Sequence, residues 1–170
     1  VAMVSYSIVF RRGPEAFVAA AAEAGLDGLI IPDLPLEEAG AMEKAAHEAG
    51  LSLILLIAPT TPPARRVEIA ARSRGFIYYI SVAGITGERT ALPAATIDAV
   101  AELRRHTDTP ICVGFGISNA DTVAEVCRVA DGAIVGSAIV HRITDVKDRP
   151  PAAVAKDVGA FVAELMKPLS

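Results

Sequence analysis

The feature that most constrains this 170-residue chain is the alternation of short apolar runs with helical patterns. Residues 29–31 are apolar with no polar alternation, which is typical of a strand buried on both faces of a sheet. A helical pattern separates each run from the next, so the order of elements is βαβα, as in parallel sheets. The apolar runs begin near positions 2, 28, 52, 76, 111 and 132.

Composition and charge narrow the class of protein. Hydrophobic residues make up 52% of the chain, enough for one core, and we expect a single domain over residues 1–170. The net charge is −4 without long runs of like charge, so neither nucleic acid nor an anionic membrane surface is indicated as a partner. No apolar run has the roughly 18 residues of a membrane span, and no secretory signal is visible. We therefore expect a cytoplasmic protein.

Two of the apolar runs, at residues 110–114 and 132–135, end in glycine turns that lead into helical patterns. Backbone N–H groups in such turns and at helix N-termini carry partial positive charge, and glycine lets an oxyanion approach them closely. Ordinary tight turns and helix caps are the alternative explanation. The phosphate site predicted by these turns, together with a glycine from the long loop 82–93, consists of Gly87, Gly116, Gly136 and Ser137.

The same turns bear on the architecture. A dinucleotide-binding open sheet needs G-x-G-x-x-G, whereas the segment that starts at Gly114 has Asn119 in the place of the third glycine. A TIM (β/α)8 barrel binds phosphate on the loops after its last two strands, which is where the two turns lie. We therefore predict an α/β fold of the TIM-barrel type. About six of its eight βα units are recognisable, and we expect two more upstream of Val1.

Three side chains stand out by their place in this pattern. Tyr78 and Ile80 lie two residues apart in a strand and so on one face, where they predict either the wall of a pocket for a planar apolar group or core packing. Asp33 follows a strand, at the end where the catalytic groups of a barrel collect. A role as a cap or turn residue is equally compatible with Asp33. Neither Cys112 nor Cys127 has metal-ligand spacing, and we expect no metal.

Five motifs in order and spacing resemble one family. Each motif is weak alone, but the five together are specific, and they extend over nearly the whole chain. They are P-D-L-P at 32–35, A-P-T-T at 58–61, F-I-Y-Y-I-S with G-I-T-G at 76–87, G-F-G-I-S at 114–118 and G-S-A-I-V at 136–140. The family that they resemble is the tryptophan synthase alpha chain.

The resemblance implies a TIM barrel of which strands 3 to 8 are present. It also implies a lyase of L-tryptophan biosynthesis, which cleaves indole-3-glycerol phosphate in a retro-aldol step to indole and glyceraldehyde 3-phosphate. The family passes indole to a tryptophan synthase beta chain in an α2β2 assembly. No cofactor is implied for this chain, because pyridoxal phosphate belongs to the beta chain.

The resemblance also assigns roles to residues. The phosphate contacts of the family correspond to Gly87, Gly116, Gly136 and Ser137. Its indole pocket corresponds to Tyr78 and Ile80, and its mobile loop, which closes over the site, to Thr86. Its contact with the beta chain corresponds to the loop that carries Asp33.

Two departures from the family pattern matter. The family's catalytic glutamate and aspartate lie on and just after barrel strand 2, which we expect upstream of Val1, so no catalytic residue is assigned in these 170 residues. We accordingly expect the 170 residues alone to be inactive. In addition, Ser7 and Ile8 stand where the family usually has Asn-Pro, a part of the pocket or of the interface with the beta chain.

Two other functions remain open from the sequence. One is a different phosphate-binding βα-barrel lyase or isomerase in which Asp33 acts as the acid or base. The other is a non-catalytic barrel that binds a partner.

Overall fold

The computed structural model describes residues 1–81, 92–114, 116–144 and 149–169. The chain divides into two compact units. The first unit comprises Val1–Ile57, Thr61–Tyr78 and Leu103–Pro110, and the second comprises Ala58–Thr60, Tyr79–Glu102 and Ile111–Ser170. The expected single domain over residues 1–170 stays a prediction.

Strands and helices alternate through the first part of the chain, and the loops between them are short. These elements are β1 (Ala2–Met3), α1 (Tyr6–Arg12), α2 (Pro14–Glu23), β2 (Gly28–Ile30), a 3-10 helix (Leu36–Glu38), α3 (Gly40–Glu48), β3 (Ser52–Ile54), β4 (Leu56–Ile57) and α4 (Pro63–Arg72).

The alternation continues to the end of the chain. The remaining elements are β5 (Ile77–Ile80), α5 (Ala94–Leu103), β6 (Ile111–Gly114), α6 (Ala120–Cys127), β7 (Gly132–Ile134), α7 (Ser137–Thr144), α8 (Pro151–Met166) and a 3-10 helix (Lys167–Leu169).

The sheet of the first unit has the order β1-β2-β3 with parallel pairing. Every residue of the central strand β2 is buried, with Leu29 opposite Leu53 and Ile30 opposite Ile54. The apolar run without alternation is therefore a strand covered on both faces, as the sequence predicts.

A second sheet has the order β4-β5-β6-β7. Strands β6 and β7 pair in parallel, with Cys112 opposite Gly132 and Gly114 opposite Ile134. Inward residues of β6, Ile111 and Val113, are fully buried. The prediction of an α/β fold with parallel strands joined by helices is confirmed.

The first predicted strand is shorter than expected, and a helix follows it. Residues 1–6 are predicted to form a strand, but β1 ends at Met3 and α1 begins at Tyr6. Asp33, 27 residues away in sequence, accepts the Tyr6 N–H at 2.7 Å and the Ser5 hydroxyl at 2.6 Å. A carboxylate on the first N–H group of a helix stabilises its start, so tertiary structure overrides the local pattern.

The predicted strand at residues 51–58 is interrupted at Leu55. Its two halves, β3 and β4, belong to different sheets. The buried Ser73 hydroxyl accepts the N–H of Leu55 at 3.0 Å and donates to the carbonyl of Phe76 at 2.8 Å. A side chain therefore takes the place of a strand partner for the Leu55 N–H, whereas the Leu55 carbonyl accepts the Tyr78 N–H of β5 at 3.0 Å. The apolar run does not reveal this break.

No helix in the described ranges combines the length and apolar character needed to cross a membrane. Within those same ranges, His, Cys, Asp and Glu do not form a group of three that could hold a metal ion.

Gly28 lies in the first sheet at a position with no room for a side chain. A Cβ at this position would lie 2.8 Å from the Ser52 carbonyl oxygen and 2.8 Å from Ile54 Cδ1. Because a backbone atom cannot move aside cheaply, we expect Gly28→Ala to lower the free energy of unfolding by about 1–3 kcal/mol. Chemical denaturation of the purified protein measures this difference.

Gly159→Ala is the matched control for Gly28→Ala. Gly159 lies in α8, and a Cβ there would have no heavy atom within 4 Å among the described residues. The same glycine-to-alanine change should raise the free energy of unfolding by about 0.5–1 kcal/mol, because alanine loses less backbone entropy in a helix. Equal effects of the two changes would contradict the proposed clash at Gly28.

Candidate functional site

The two glycine turns leave neighbouring strands at the same level. Gly114 and Ile134, the last residues of β6 and β7, lie opposite each other in the parallel register. Gly116 and Gly136 each follow two residues later, and both are exposed. The structure therefore brings these two predicted phosphate contacts to one edge of the sheet in the second unit.

Helix α7 begins directly after the second turn, as predicted. Ser137 is its first residue, and the Gly136 carbonyl accepts the N–H groups of Ile139 and Val140 at 2.9 and 3.1 Å. Gly136 has no side chain that could cap the first N–H groups of the helix, and the first turn contains no acidic residue. The N–H groups that precede Ile139 in α7, together with the exposed Ser137 hydroxyl, are therefore suited to bind an anion.

The first turn differs from the second. The sequence predicts a helix from residue 119, and α6 begins at Ala120, four residues after Gly116, whereas α7 begins directly after Gly136. Asn119 caps α6 by accepting the Thr122 N–H at 2.9 Å, and Asp121 adds a negative charge to its first turn. Gly116 can thus offer loop backbone to an anion, whereas the side chain of Asn119 already occupies the Thr122 N–H at the start of α6.

Among the described residues, neither a positive φ nor close packing accounts for Gly116 and Gly136. Gly116 and Gly136 do not have the positive φ found at Gly13, Gly25 and Gly50. A Cβ at either position would meet no heavy atom within 4 Å among the described residues. Because glycine has no side chain, a ligand can approach the backbone at these positions.

Tyr78 and Ile80 share one face of β5, as predicted. The opposite face, Ile77 and Tyr79, is the fully buried one, whereas Tyr78 and Ile80 are partly exposed. Burial raises the pKa of the Tyr78 phenol above its usual value, so the phenol is protonated at neutral pH. A partly exposed aromatic and an aliphatic side chain on one face suit a planar apolar group, and the role of these two residues in an indole pocket stays a prediction.

Asp33 is an exposed carboxylate engaged at the start of α1. The hydrogen bond from the Ser5 hydroxyl, followed by that from the Tyr6 amide, lowers the pKa of the Asp33 carboxyl below its usual value. A general acid or base works best with a pKa near the working pH, so this shift is in the wrong direction for proton transfer. The geometry gives Asp33 a capping role, and its place at an interface with a partner stays a prediction.

The predicted site residues are distributed as follows. Gly116, Gly136 and Ser137 lie together in the second unit, which also contains Ile80. Tyr78 and Asp33 belong to the first unit. Gly87 and Thr86 lie outside the described residues, so their predicted roles are not addressed by the structure.

Sequence reasoning missed Asn119 and Ser81. Asn directly before a helical pattern is a recognisable capping signal, so Asn119 was open to prediction. Ser81 follows a strand and carries no local signal. Its importance comes from a contact with Gly114, 33 residues away.

A concave surface beside α7 and α8 is a weaker candidate site. It is lined by Arg142, Arg149, Asp157, Ala160, Phe161 and Glu164. The guanidinium of Arg142 lies 3.3 Å from the ring centroid of Phe161, and Arg149 pairs with Asp157 at 2.5 Å. Both cations already have partners, so this surface offers an anion little uncompensated charge.

The family of the chain follows from comparison with known proteins. The family model described as tryptophan synthase alpha chain matches residues 1–168. The chain belongs to this family. The alpha chain of Rhodopirellula baltica is 48% identical over 97% of this chain and 62% of its own length. That of Chloroflexus aurantiacus is 47% identical over 95% of this chain and 59% of its own length.

Solved structures of the family agree with the fold. Mycobacterium tuberculosis tryptophan synthase matches 99% of this chain and 61% of its own with a TM-score of 0.87 and 34% identity. A tryptophan synthase α2β2 complex from Pyrococcus furiosus matches 96% of this chain and 65% of its own with a TM-score of 0.85 and 32% identity. The predicted fold class, α/β of the TIM-barrel type, is confirmed. The chain spans 59% to 62% of the length of the alpha chains named above.

The hydrogen bonds of Asp33 predict a pH-dependent stability. The contribution of a carboxyl with a lowered folded pKa is present above its unfolded pKa, about 3.9, and is lost as the pH falls through the folded pKa. We expect Asp33→Asn to lower the melting temperature at pH 7. The difference from the original protein should shrink as the pH falls below the unfolded pKa and through the lowered pKa of folded Asp33, because the original Asp33 then loses its charge as well.

Melting curves recorded from pH 7 to pH 2 test this expectation. Asp27→Asn is the matched control, since Asp27 is an exposed acid of the same unit that precedes a strand and caps no helix. A difference in melting temperature for Asp33→Asn that stays constant down to pH 2 would show that the charge of Asp33 does not contribute.

Proposed function

We propose that the protein acts as a tryptophan synthase alpha chain, cleaving indole-3-glycerol phosphate to indole and glyceraldehyde 3-phosphate in the cytoplasm. The observation that carries this proposal is the pair of glycine turns in register on β6 and β7, the second of which opens helix α7, whose first turn contains no acidic residue. The reaction is inferred from membership in the family, and the turns offer a binding site for the phosphate of the substrate.

The phosphate is held by neutral donors in this proposal. The N–H groups at the start of α7 and the Ser137 hydroxyl donate to its oxygens, and the backbone at Gly116 approaches from the neighbouring turn. By resemblance to the family, Gly87 provides a further contact to the phosphate. Hydrogen bonds to a charged acceptor are stronger than neutral ones, so a few of them hold a small anion without lysine or arginine.

The indole ring rests against Tyr78 and Ile80 in this proposal, while Thr86 contributes from the loop that closes over the site. Cleavage breaks the bond between ring carbon 3 and the side chain of the substrate. The side-chain hydroxyl loses its proton and becomes the aldehyde, and ring carbon 3 gains a proton as the ring nitrogen is deprotonated and reprotonated. Positioned acids and bases accelerate such proton transfers by roughly 10²- to 10⁴-fold.

The groups that transfer these protons are not assigned to the present residues. By resemblance they are a glutamate and an aspartate from a part of the barrel that these 170 residues do not contain. The residues described here bind and orient the substrate, and they supply no cofactor of their own.

The partner in this proposal is a tryptophan synthase beta chain, which carries pyridoxal phosphate and takes up the indole. The Pyrococcus furiosus structure similar to this chain is an α2β2 complex. The loop of Asp33 follows β2 and is tied to the start of α1 through Ser5 and Tyr6. We expect this region to lie at the contact with the beta chain.

Indole release tests the reaction. The protein, expressed from its complete coding sequence, should release indole and glyceraldehyde 3-phosphate from indole-3-glycerol phosphate, and indolepropanol phosphate should inhibit it competitively. Addition of a beta chain should raise the rate. Turnover of another phosphorylated substrate with no response to indolepropanol phosphate would instead indicate a different lyase or isomerase. Activation of the beta chain without any turnover would indicate a non-catalytic partner.

Substitutions at the turns test the phosphate site. We expect Gly116→Ala and Ser137→Ala each to weaken binding of glycerol 3-phosphate by roughly tenfold, because one hydrogen bond to a charged group is hindered or lost. Calorimetric titration measures the affinity. The melting temperature should change little, since a Cβ at Gly116 meets no described atom within 4 Å. Gly159→Ala in α8 should leave the affinity unchanged, and unaltered binding in both turn variants would place the anion elsewhere.

A further inference from the structure

The turn that carries Gly116 needs its backbone fixed from outside. Glycine loses more conformational freedom on ordering than any other residue, and Gly116 has no side chain with which to pack. A turn that had to order itself around each anion would lose that entropy on binding. Hydrogen bonds of Ser81 and Asn119 hold the described residues on either side of Gly116.

Ser81 holds the strand end before the turn. Its N–H and its hydroxyl both donate to the Gly114 carbonyl, at 3.1 and 3.2 Å. The carbonyl of Ser81 in turn accepts the hydroxyl of Thr96, on α5, at 3.3 Å. Both side chains are buried, with Ser81 at 4% and Thr96 at 3% exposure. Gly114 is thus fixed to β5 and through it to α5 by buried polar contacts.

Asn119 holds the other end of the turn. Its side-chain oxygen accepts the amide of Thr122 at 2.9 Å and the hydroxyl of Thr122 at 2.7 Å, and its carbonyl accepts the Val123 N–H at 3.2 Å. Between the two ends, Ile117 is only 2% exposed. Gly116 itself is exposed, between an anchored strand end and an anchored helix start.

We propose that Ser81 and Asn119 are positioning residues for the phosphate site: they touch no substrate, and they hold Gly114 and the start of α6, on either side of Gly116, so that binding of the anion requires less ordering of the backbone at Gly116. This inference rests on the proposed function. Binding by a preordered turn costs less entropy, so the benefit appears in affinity for the phosphate group. The proton-transfer chemistry, which lies elsewhere, is unaffected.

Three variants of the protein, expressed from its complete coding sequence, test the proposal. Asn119→Ala and Ser81→Ala should each weaken the binding of glycerol 3-phosphate by roughly fivefold, with a matching rise of KM for indole-3-glycerol phosphate and little change in kcat. Asn119→Ser should restore binding to within about twofold, because serine also caps helix N-termini.

Val126→Ala is the control for loss of stability alone. Val126 is fully buried on α6, away from the turn, and its truncation should lower the melting temperature at least as much as Asn119→Ala does. The proposal expects the affinity of Val126→Ala to equal that of the original protein. Equal weakening in Val126→Ala and Asn119→Ala, or no rescue by Asn119→Ser, would overturn it.

The same titrations separate this inference from the proposed function. Binding of glycerol 3-phosphate by the original protein, unaltered in Asn119→Ala and Ser81→Ala, would overturn the positioning role and leave the phosphate site standing. Absence of binding by the original protein would overturn both.

Discussion

The parallel register of β6 and β7 is the constraint on which the candidate site depends. Because Gly114 lies opposite Ile134, the residues two positions after the end of each strand follow the sheet at the same level. That level is where Gly116 and Gly136 lie, and where Ser137 opens α7. A shift of one residue in either strand would turn every side chain of that strand to the other face, so the buried residues Ile111 and Val113 also fix the position of the turns.

The chain carries a net charge of −4, and its candidate anion site is built from neutral donors. Helices α6 and α7, which follow the two turns, differ in the features that favour an anion at a helix N-terminus. Helix α6 has a capping asparagine and an acidic residue in its first turn, and both make its N-terminus less suited to an external anion. Helix α7 has glycine at the corresponding place, no acid in its first turn, and His141 and Arg142 in its last turn. The distribution of charge along α7 agrees with its dipole and leaves the N-terminus for an anion.

The sequence predicted those parts of the fold that local pattern determines. The alternation of strands and helices, the fully buried strand β2 and the start of α7 after Gly136 all follow from apolar periodicity and glycine placement. The helix α1 did not follow, because the carboxylate that caps it comes from Asp33, distant in the chain. The break at Leu55 was equally hidden, since it depends on the hydroxyl of Ser73. Each of these contacts joins residues that are too far apart in the sequence for a local pattern to reveal it.

The same limit applies to the glycines, which look alike in a sequence and differ in the structure. Gly28 faces a carbonyl and a side chain 2.8 Å from where its Cβ would be, so the packing of the protein itself accounts for it. Gly25 and Gly50 adopt a positive φ at the ends of helices, so backbone conformation accounts for them. Gly116 and Gly136 meet neither condition. They are exposed and follow two strands in register, and access to their backbone is the property that a Cβ would reduce. Packing against the described residues therefore does not account for glycine at these two positions, which agrees with the proposed role of their backbone in binding.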